Sequence, residues 1–206
     1  MIDGIIFDID GTIWDSTNIV ANAWNRAFEE NGYNERVTAD RLKGLFGLPM
    51  IDIISDILPY EKMENKEKIL KAVSKYEFMY LEKEMPYVYD GMETTLEMLA
   101  RKYKLGIVSN CQSGYIELLY KKTGFDKYFD YQLCPGDTGK LKAENINILA
   151  KKCEMKSPIY LGDTHMDEEA CKKADVRFVY AAYGFGKANS PWKSIDNVEQ
   201  LLDFCL

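Results

Sequence analysis

Apolar residues recur with a helical period through residues 15–86. They are separated by three or four positions at both ends of this segment, which places them on one face of amphipathic helices. Thr38 is suited to cap a second helix, and a third is expected from Met50 to Leu58, before Pro59. No strand is predicted in this region. The residues that set the period are Ile19, Val20, Ala23, Trp24, Ala27, Phe28, Ile69, Val73, Tyr76 and Tyr80.

Outside this segment, short apolar or β-branched runs alternate with amphipathic stretches. The run from Met1 to Asp8 predicts a buried strand that ends at Asp8. Beyond Pro86, predicted helices and strands follow one another in turn. They are helix Glu93–Tyr103, strand Leu105–Ser109, helix Tyr115–Lys122, strand Tyr131–Cys134, helix Glu144–Cys153, strand Ile159–Gly162, helix Glu168–Ala174, strand Arg177–Ala181 and helix Val198–Phe204.

This alternation predicts the fold class and the domain organisation. Strands separated by helices form βαβ units, so we expect an α/β fold with a Rossmann-like parallel sheet and helices on both faces. The helical segment interrupts the sheet after its first strand. The predicted domains are therefore a core of residues 1–14 and 87–206 and an inserted α-helical domain of residues 15–86.

Composition and charge narrow the classes of partner. Of the 206 residues, 47% are hydrophobic and 29% charged, which is typical of a globular protein. The net charge of −7 disfavours nucleic acid as a partner, since the phosphate backbone attracts basic surfaces. No stretch approaches the roughly 18 apolar residues that a membrane span needs. The five cysteines include no CxxC pair, so we expect no disulfide framework. The acids within the first ten positions predict that there is no signal peptide. We therefore expect a cytoplasmic protein.

The candidate chemistry lies at the carboxyl ends of the predicted strands, where open α/β sheets bind ligands. Asp8 and Asp10 follow the first strand, and alternation of side chains places both on one face unless the turn at Gly11 redirects the second. Two close carboxylates repel each other unless a cation or a proton lies between them. The pair therefore predicts a hard divalent metal ion, most simply Mg²⁺. An ordinary strand that ends in an Asp-Gly turn is the alternative.

Three further strand ends supply polar groups. Ser109 and Asn110 could donate hydrogen bonds to phosphoryl oxygens, although this pair is also common in turns. Lys140 and Lys142 precede a predicted helix, whose dipole does not favour cations there, so one of them is a candidate positive centre rather than a solvated surface residue. Asp163 and Asp167 are four residues apart and can join the carboxylates of the first strand, while Asp167 can also cap a helix.

In this order and at these spacings, the four strand ends resemble the four motifs of the haloacid dehalogenase-like hydrolase superfamily. The resemblance rests on Asp8-x-Asp10-Gly11-Thr12, Ser109-Asn110, a downstream lysine and Gly162-Asp163-x-x-x-Asp167. It is closest to the phosphoglycolate-phosphatase-like and β-phosphoglucomutase-like branch. The segment 15–86, called the cap below, is similar to the α-helical cap of that branch, and Gly47-Leu48-Pro49 resembles its substrate-facing loop.

The resemblance implies a role for each motif residue. Asp8 is expected to be the nucleophile that forms an aspartyl-phosphate, and Asp10 the general acid and base. Mg²⁺ is expected on Asp8, the backbone carbonyl of Asp10 and Asp163, with Asp167 in support. The residues expected to bind substrate are Thr12, Ser109, Asn110, Gly47 and one lysine. That lysine is Lys140 by the Gly-Lys pattern or Lys142 by a Lys-x-Glu-x-Ile pattern, and we favour Lys142.

The predicted function is that of a Mg²⁺-dependent phosphatase for a small phosphorylated metabolite such as phosphoglycolate, a sugar phosphate or a nucleotide. The acid at Asp10 favours phosphoryl transfer over dehalogenation, because related dehalogenases lack an acid at that position. A phosphomutase of the β-phosphoglucomutase type and a non-catalytic phosphate-binding module are the alternatives. Lys43, Phe46 and Met50 of the cap are candidates for specificity, and the protein is expected to be a monomer or a homodimer.

Overall fold

A computed structural model describes residues 2–206, so Met1, which the predicted first strand and core include, lies outside the described residues. The strands of this range are β1 (Gly4–Phe7), β2 (Trp14–Asp15), β3 (Tyr87–Val88), β4 (Lys104–Val108), β5 (Tyr131–Leu133), β6 (Pro158–Gly162), β7 (Arg177–Ala181) and β8 (Lys193–Ile195). The α-helices are α1 (Thr17–Glu30), α2 (Ala39–Lys43), α3 (Met50–Ile57), α4 (Met63–Lys83), α5 (Met92–Ala100), α6 (Tyr115–Thr123), α7 (Pro135–Thr138), α8 (Lys142–Lys152), α9 (His165–Ala174) and α10 (Leu202–Cys205). Short 3₁₀ helices cover Phe125–Tyr128 and Val198–Leu201.

Six of these strands form one parallel sheet in the order β5-β4-β1-β6-β7-β8. The first strand is central, with Ile5 beside Leu105 on one side and Ile159 on the other. All four of its residues are buried, which explains its unbroken apolar sequence. Because β1 lies between β4 and β6 and all three strands are parallel, their carboxyl ends lie together at one edge of the sheet. The predicted α/β fold with a parallel sheet is confirmed.

Some short elements differ from the sequence prediction. The strands β2 and β3 pair antiparallel, so a strand residue, Asp15, falls just inside the segment in which no strand was expected. Neither β8 nor α7 was predicted, and the last predicted helix begins as a 3₁₀ turn. Elements of two to four residues are too short to show a period. In β8, for example, only Ile195 is buried.

Four helices occupy the cap. The longest, α4, packs against α1, and Trp24 and Val73 are among the buried residues of this pair. The second helix begins as expected, because the Thr38 side chain accepts a hydrogen bond from the Arg41 backbone N–H. The β2–β3 pair lies where the chain enters and leaves the cap. The division into a core of 1–14 and 87–206 and a cap of 15–86 stays a prediction.

Within residues 2–206, no helix has both the length and the apolar character that are needed to cross a bilayer.

Candidate active site

The ends of β1 and β6 approach each other closely at Gly11. The Asp8 backbone N–H donates to the Leu161 carbonyl at 2.8 Å, which continues the sheet to the first residue after β1. Gly11 has a φ of +79°, and a Cβ on it would lie 2.1 Å from Asp163 Oδ2. Glycine is therefore required at position 11 for two reasons: the backbone is left-handed, and a side chain would prevent the contact that brings Asp163 beside the first motif.

Lys142 is the lysine that reaches the carboxylates. Its Nζ lies 3.0 Å from Asp8 Oδ2 and 2.6 Å from Asp167 Oδ1, and all three side chains are buried. Burial lowers the pKa of Lys142, but the negative charges of Asp167 and Asp8 more than offset this and raise it above its usual value. Lys140, in contrast, is about half exposed and faces Glu144 at 3.4 Å.

The loop before α8 explains why the two lysines point in different directions. Asn145 is fully buried; its side chain donates to the Lys140 carbonyl at 3.2 Å and accepts from the Thr138 hydroxyl at 2.9 Å. These bonds fix the backbone at Lys140. The helix then begins at Lys142, whose side chain projects toward the end of β1.

Asp167 has a structural partner for each of its carboxylate oxygens. Oδ1 accepts from Lys142, and Oδ2 accepts from the Thr164 backbone N–H at 3.0 Å and the Thr164 hydroxyl at 2.7 Å. The Asp167 N–H donates back to that hydroxyl, which completes a capping box at the start of α9. Asp167 therefore caps a helix and orients Lys142.

Three buried carboxylates, those of Asp8, Asp163 and Asp167, place oxygens within 4.8 Å of one another. Lys142 supplies a single positive charge to this group. The Asp8 Oδ1 and Asp163 Oδ1 atoms are buried and have no hydrogen-bond partner among residues 2–206. Burial raises the pKa of Asp8 to about 6 against the opposing charge of Lys142, and burial together with Asp167 raises that of Asp163. Two orphaned carboxylate oxygens beside excess negative charge suit a hard divalent cation such as Mg²⁺.

The carboxylate of Asp10 is held apart from this group. Its Oδ1 accepts hydrogen bonds from the Ser16 hydroxyl at 2.7 Å, the Tyr115 hydroxyl at 2.8 Å and the Trp14 indole N–H at 3.1 Å. Burial raises the pKa of Asp10 to about 7, although the Ser16 and Tyr115 bonds oppose the shift. A carboxyl with such a pKa can both give and take a proton near neutrality. Its expected contribution to a metal site, through the backbone carbonyl, stays a prediction.

A small cavity separates the core from the cap above these residues. Its volume is about 30 Å³, room for only about two water molecules. The Asn110 side-chain amide donates to the Gly47 carbonyl at 2.7 Å and so joins core and cap across the cavity. An organic phosphate ester is larger than this volume, so we expect the cap to shift when a substrate binds. The core wall of the cavity is formed by Asp8, Asp10, Ser109, Asn110, Cys111, Gln112 and Tyr115, and the cap wall by Phe46, Gly47, Leu48, Met50, Ile53 and Glu77.

The remaining candidates are divided between the cavity and its surroundings. Phe46 and Met50 belong to the cap wall. Lys43 does not line the cavity; its Nζ pairs with Asp15 at 3.0 Å and lies 5.4 Å from the centre of the Phe185 ring. Thr12 is fully buried outside the cavity lining, and its hydroxyl has no hydrogen-bond partner within residues 2–206.

Several residues around the site were not predicted from the sequence. Tyr115 and Ser16 hold Asp10, and Glu77 is the one cap-wall residue with a carboxyl group. Phe185 follows β7; its N–H donates to Asp163 Oδ2 at 2.7 Å, and its ring packs against Phe46 of the cap at a centroid distance of 6.0 Å. Ser16 lies only six residues beyond Asp10 and was within reach of local reasoning. The other contacts join distant parts of the chain and leave no local pattern.

Three kinds of comparison agree on the relatives of this chain. The sequence model of the family described as haloacid dehalogenase-like hydrolase matches residues 5–181. A phosphoglycolate phosphatase of Aquifex aeolicus is 29% identical over 194 residues, which cover 90% of this chain and 87% of the relative. A pyrophosphatase, PpaX of Oceanobacillus iheyensis, is 24% identical and covers 90% and 86%. A haloacid dehalogenase-like hydrolase structure from Streptococcus pneumoniae matches with a TM-score of 0.88 at 19% identity, over 100% of this chain and 99% of that one.

Proposed function

Because the chain belongs to the haloacid dehalogenase-like hydrolase family, as its motifs predicted, we propose that it is a Mg²⁺-dependent phosphatase for a small phosphate monoester, acting through an aspartyl-phosphate. The observation that carries this proposal is the buried group of Asp8, Asp163 and Lys142, with two carboxylate oxygens that lack a partner. The phosphatase class agrees with the prediction, and its relatives have phosphatase names.

The first chemical step uses Asp8 and Asp10 in opposite protonation states. An ionised oxygen of Asp8 attacks phosphorus, and the bond from phosphorus to the leaving oxygen breaks. Asp10 gives its proton to that oxygen, so the leaving group departs as a neutral alcohol. The carboxyl of Asp10 is suited to this role because three donors fix its Oδ1 and its pKa is raised to about 7.

The second step reverses the role of Asp10. Its carboxylate takes a proton from a water molecule, and the resulting oxygen attacks the phosphorus of the aspartyl-phosphate. The bond to Asp8 breaks and phosphate is released, so both side chains return to their starting states. Lys142 would balance the charge on Asp8 and on the phosphoryl oxygens, and Ser109 and the backbone of Asn110, both on the core wall, would donate hydrogen bonds to those oxygens.

Mg²⁺ would be held by the free oxygens of Asp8 and Asp163, with the Asp10 carbonyl as a third protein ligand. The ion would supply charge neutralisation at the phosphoryl group. Asp167 would act indirectly, since both of its oxygens already bind Lys142 and Thr164.

Phosphate release from a substrate panel tests the proposal. Purified protein with Mg²⁺ is expected to release phosphate from at least one of phosphoglycolate, sugar phosphates and nucleotides. Asp8→Asn should lower turnover by roughly three orders of magnitude or more, because the nucleophile is lost. An absence of release across the panel, or an Asp8→Asn protein as active as the wild type, would contradict the proposal. Isomerisation of β-glucose 1-phosphate with a bisphosphate primer, without net phosphate release, would favour the mutase alternative.

The proposed setting is the cytoplasm and the proposed partner is a small phosphorylated metabolite. Supporting this, the five cysteines at 111, 134, 153, 171 and 205 are all free thiols, as is usual in reducing compartments.

A further inference from the structure

The cap wall contains no basic side chain within the described residues. Phe46, Leu48, Met50 and Ile53 contribute apolar surface, and Glu77 contributes a carboxyl group. During hydrolysis the phosphoryl group must lie against Asp8 and Lys142 on the core side. The leaving group is then directed toward the cap, and its chemistry must match this wall.

Two basic residues around the site already pair with carboxylates. Lys142 is placed between Asp8 and Asp167, where it serves the phosphoryl group. Lys43 of the cap pairs with Asp15 outside the cavity lining. A negatively charged leaving group would therefore meet an apolar surface and a carboxyl group, with no cation to compensate its lost hydration.

The side chain of Glu77 is held in one position in the cap wall by burial and by two hydrogen bonds. It is 3% exposed, and its Oε1 accepts a hydrogen bond from the Trp24 indole N–H at 2.7 Å. Its Oε2 accepts from the Gln112 amide of the core wall. A carboxylate has about four acceptor positions, so these two donors leave acceptor capacity toward the cavity.

We propose, on the basis of the phosphatase function above, that the leaving group is an uncharged or cationic alcohol that donates a hydrogen bond to Glu77. Phosphate esters of polyols or amino alcohols fit this description. The carboxylate of phosphoglycolate and the second phosphate of pyrophosphate do not. Glu77 thus selects substrates by accepting a hydrogen bond and by repelling negative charge.

A comparison of kcat/KM values at pH 8 tests this selection, because Glu77, whose pKa burial raises to about 7, carries its negative charge there. The substrates are glycerol phosphate and phosphoethanolamine, against phosphoglycolate and inorganic pyrophosphate, with p-nitrophenyl phosphate to report phosphatase chemistry. We expect the first two to exceed the second two by at least about tenfold, the worth of one hydrogen bond to a buried polar group. A preference for phosphoglycolate or pyrophosphate would overturn this inference alone. No turnover of any substrate, p-nitrophenyl phosphate included, would overturn the proposed function as well.

Two variants assign the selection to Glu77. Glu77→Gln should lower the ratio of phosphoethanolamine to phosphoglycolate turnover about tenfold or more. Glu67→Gln makes the same change at an exposed position of the same helix and should keep the wild-type ratio. An unchanged ratio in folded Glu77→Gln would overturn the inference.

If Glu77→Gln fails to fold, a variant that adds a positive charge to the cap wall still tests the inference. Met50→Lys places a cation on the cap wall at a partly exposed position, where a lysine can be accommodated. It should raise phosphoglycolate turnover relative to glycerol phosphate. A relative decrease would contradict the proposed role of charge on this wall.

Discussion

The two walls of the cavity carry different kinds of side chain and come from different kinds of chain segment. The core wall contains Asp8 and Asp10, which follow a strand of the central sheet by at most three residues. The cap wall is largely apolar, with Glu77 as its one acid, and comes from helices and a loop of the inserted segment. The groups proposed to react with phosphate are thus attached to the central sheet. The groups proposed to meet the leaving group are on the inserted segment, which we expect to shift when a substrate binds.

The difference predicts that substitutions on the core side change the rate of chemistry, whereas those on the cap side change selection. One fold can then keep one reaction and vary its substrates, as is common for enzymes of a shared fold. The largest effect is expected for a substitution on the core side.

Lys142→Ala should lower kcat by roughly a hundredfold or more, because charge on Asp8 and on the phosphoryl oxygens is no longer balanced. It should also lower the free energy of unfolding by about 3–5 kcal/mol, the usual cost of removing one partner from a buried ion pair. Phosphate release and urea denaturation measure the two effects. Lys140→Ala is the matched control and should retain most activity and stability, since Lys140 faces solvent beside Glu144. The reverse result would exchange the roles of the two lysines.

The convergence of the residues that follow β1, β4 and β6 could be predicted because it follows from a general rule of parallel sheets. Asp8, Ser109 and Asp163 each lie just beyond a strand, and neighbouring parallel strands end at one edge. The direction of the Asp10 side chain could not be predicted in the same way. Alternation placed it beside Asp8, but the turn at Gly11 leaves its carboxylate with Ser16 and Tyr115.

The residues of the cap wall were harder to predict from the sequence, because their contacts depend on how two helices pack. Trp24 and Glu77 are 53 residues apart, and they meet because α1 packs against α4. Helical periodicity identifies a buried face on each helix but does not set which residues of the two faces touch. The buried carboxyl group of Glu77, the main polar feature of this wall, therefore appears only in three dimensions.

The buried carboxyl group of Glu77 should make the cap sensitive to pH. Burial raises the pKa of Glu77 to about 7 from the usual 4.5. Between these values the unfolded chain loses this proton while the folded protein keeps it, so the free energy of unfolding should fall as pH rises from about 4.5 to 7. The loss should reach roughly 3 kcal/mol relative to Glu77→Gln. Urea denaturation of both proteins across this range measures it, and parallel curves for the two would contradict the raised pKa of Glu77 in the folded protein.

Gly11→Ala should disturb the contact between the ends of β1 and β6 without removing any group proposed to react. The φ of +79° strains an alanine, and its Cβ would overlap the carboxylate of Asp163 at 2.1 Å. We expect a loss of about 2–4 kcal/mol in the free energy of unfolding. Gly32→Ala is a matched control, because Gly32 has a φ of +78° with no atom within 4 Å of the added Cβ. It should show the cost of backbone strain alone, about 1 kcal/mol. Equal losses would mean that the approach of Asp163 to Gly11 contributes nothing.

Phe185→Ala probes the junction between the two walls and should have the smallest effect. The variant keeps the backbone N–H that binds Asp163 but loses the ring that packs against Phe46 of the cap. We expect KM to rise roughly three- to tenfold with little change in kcat, since an aromatic pair contributes about 1 kcal/mol to the closed cap. Phe204→Ala, which removes an aromatic contact with Trp192 at a similar centroid distance of 5.8 Å, should leave KM unchanged. A fall in kcat at constant KM would instead place Phe185 with the reacting groups of the core wall.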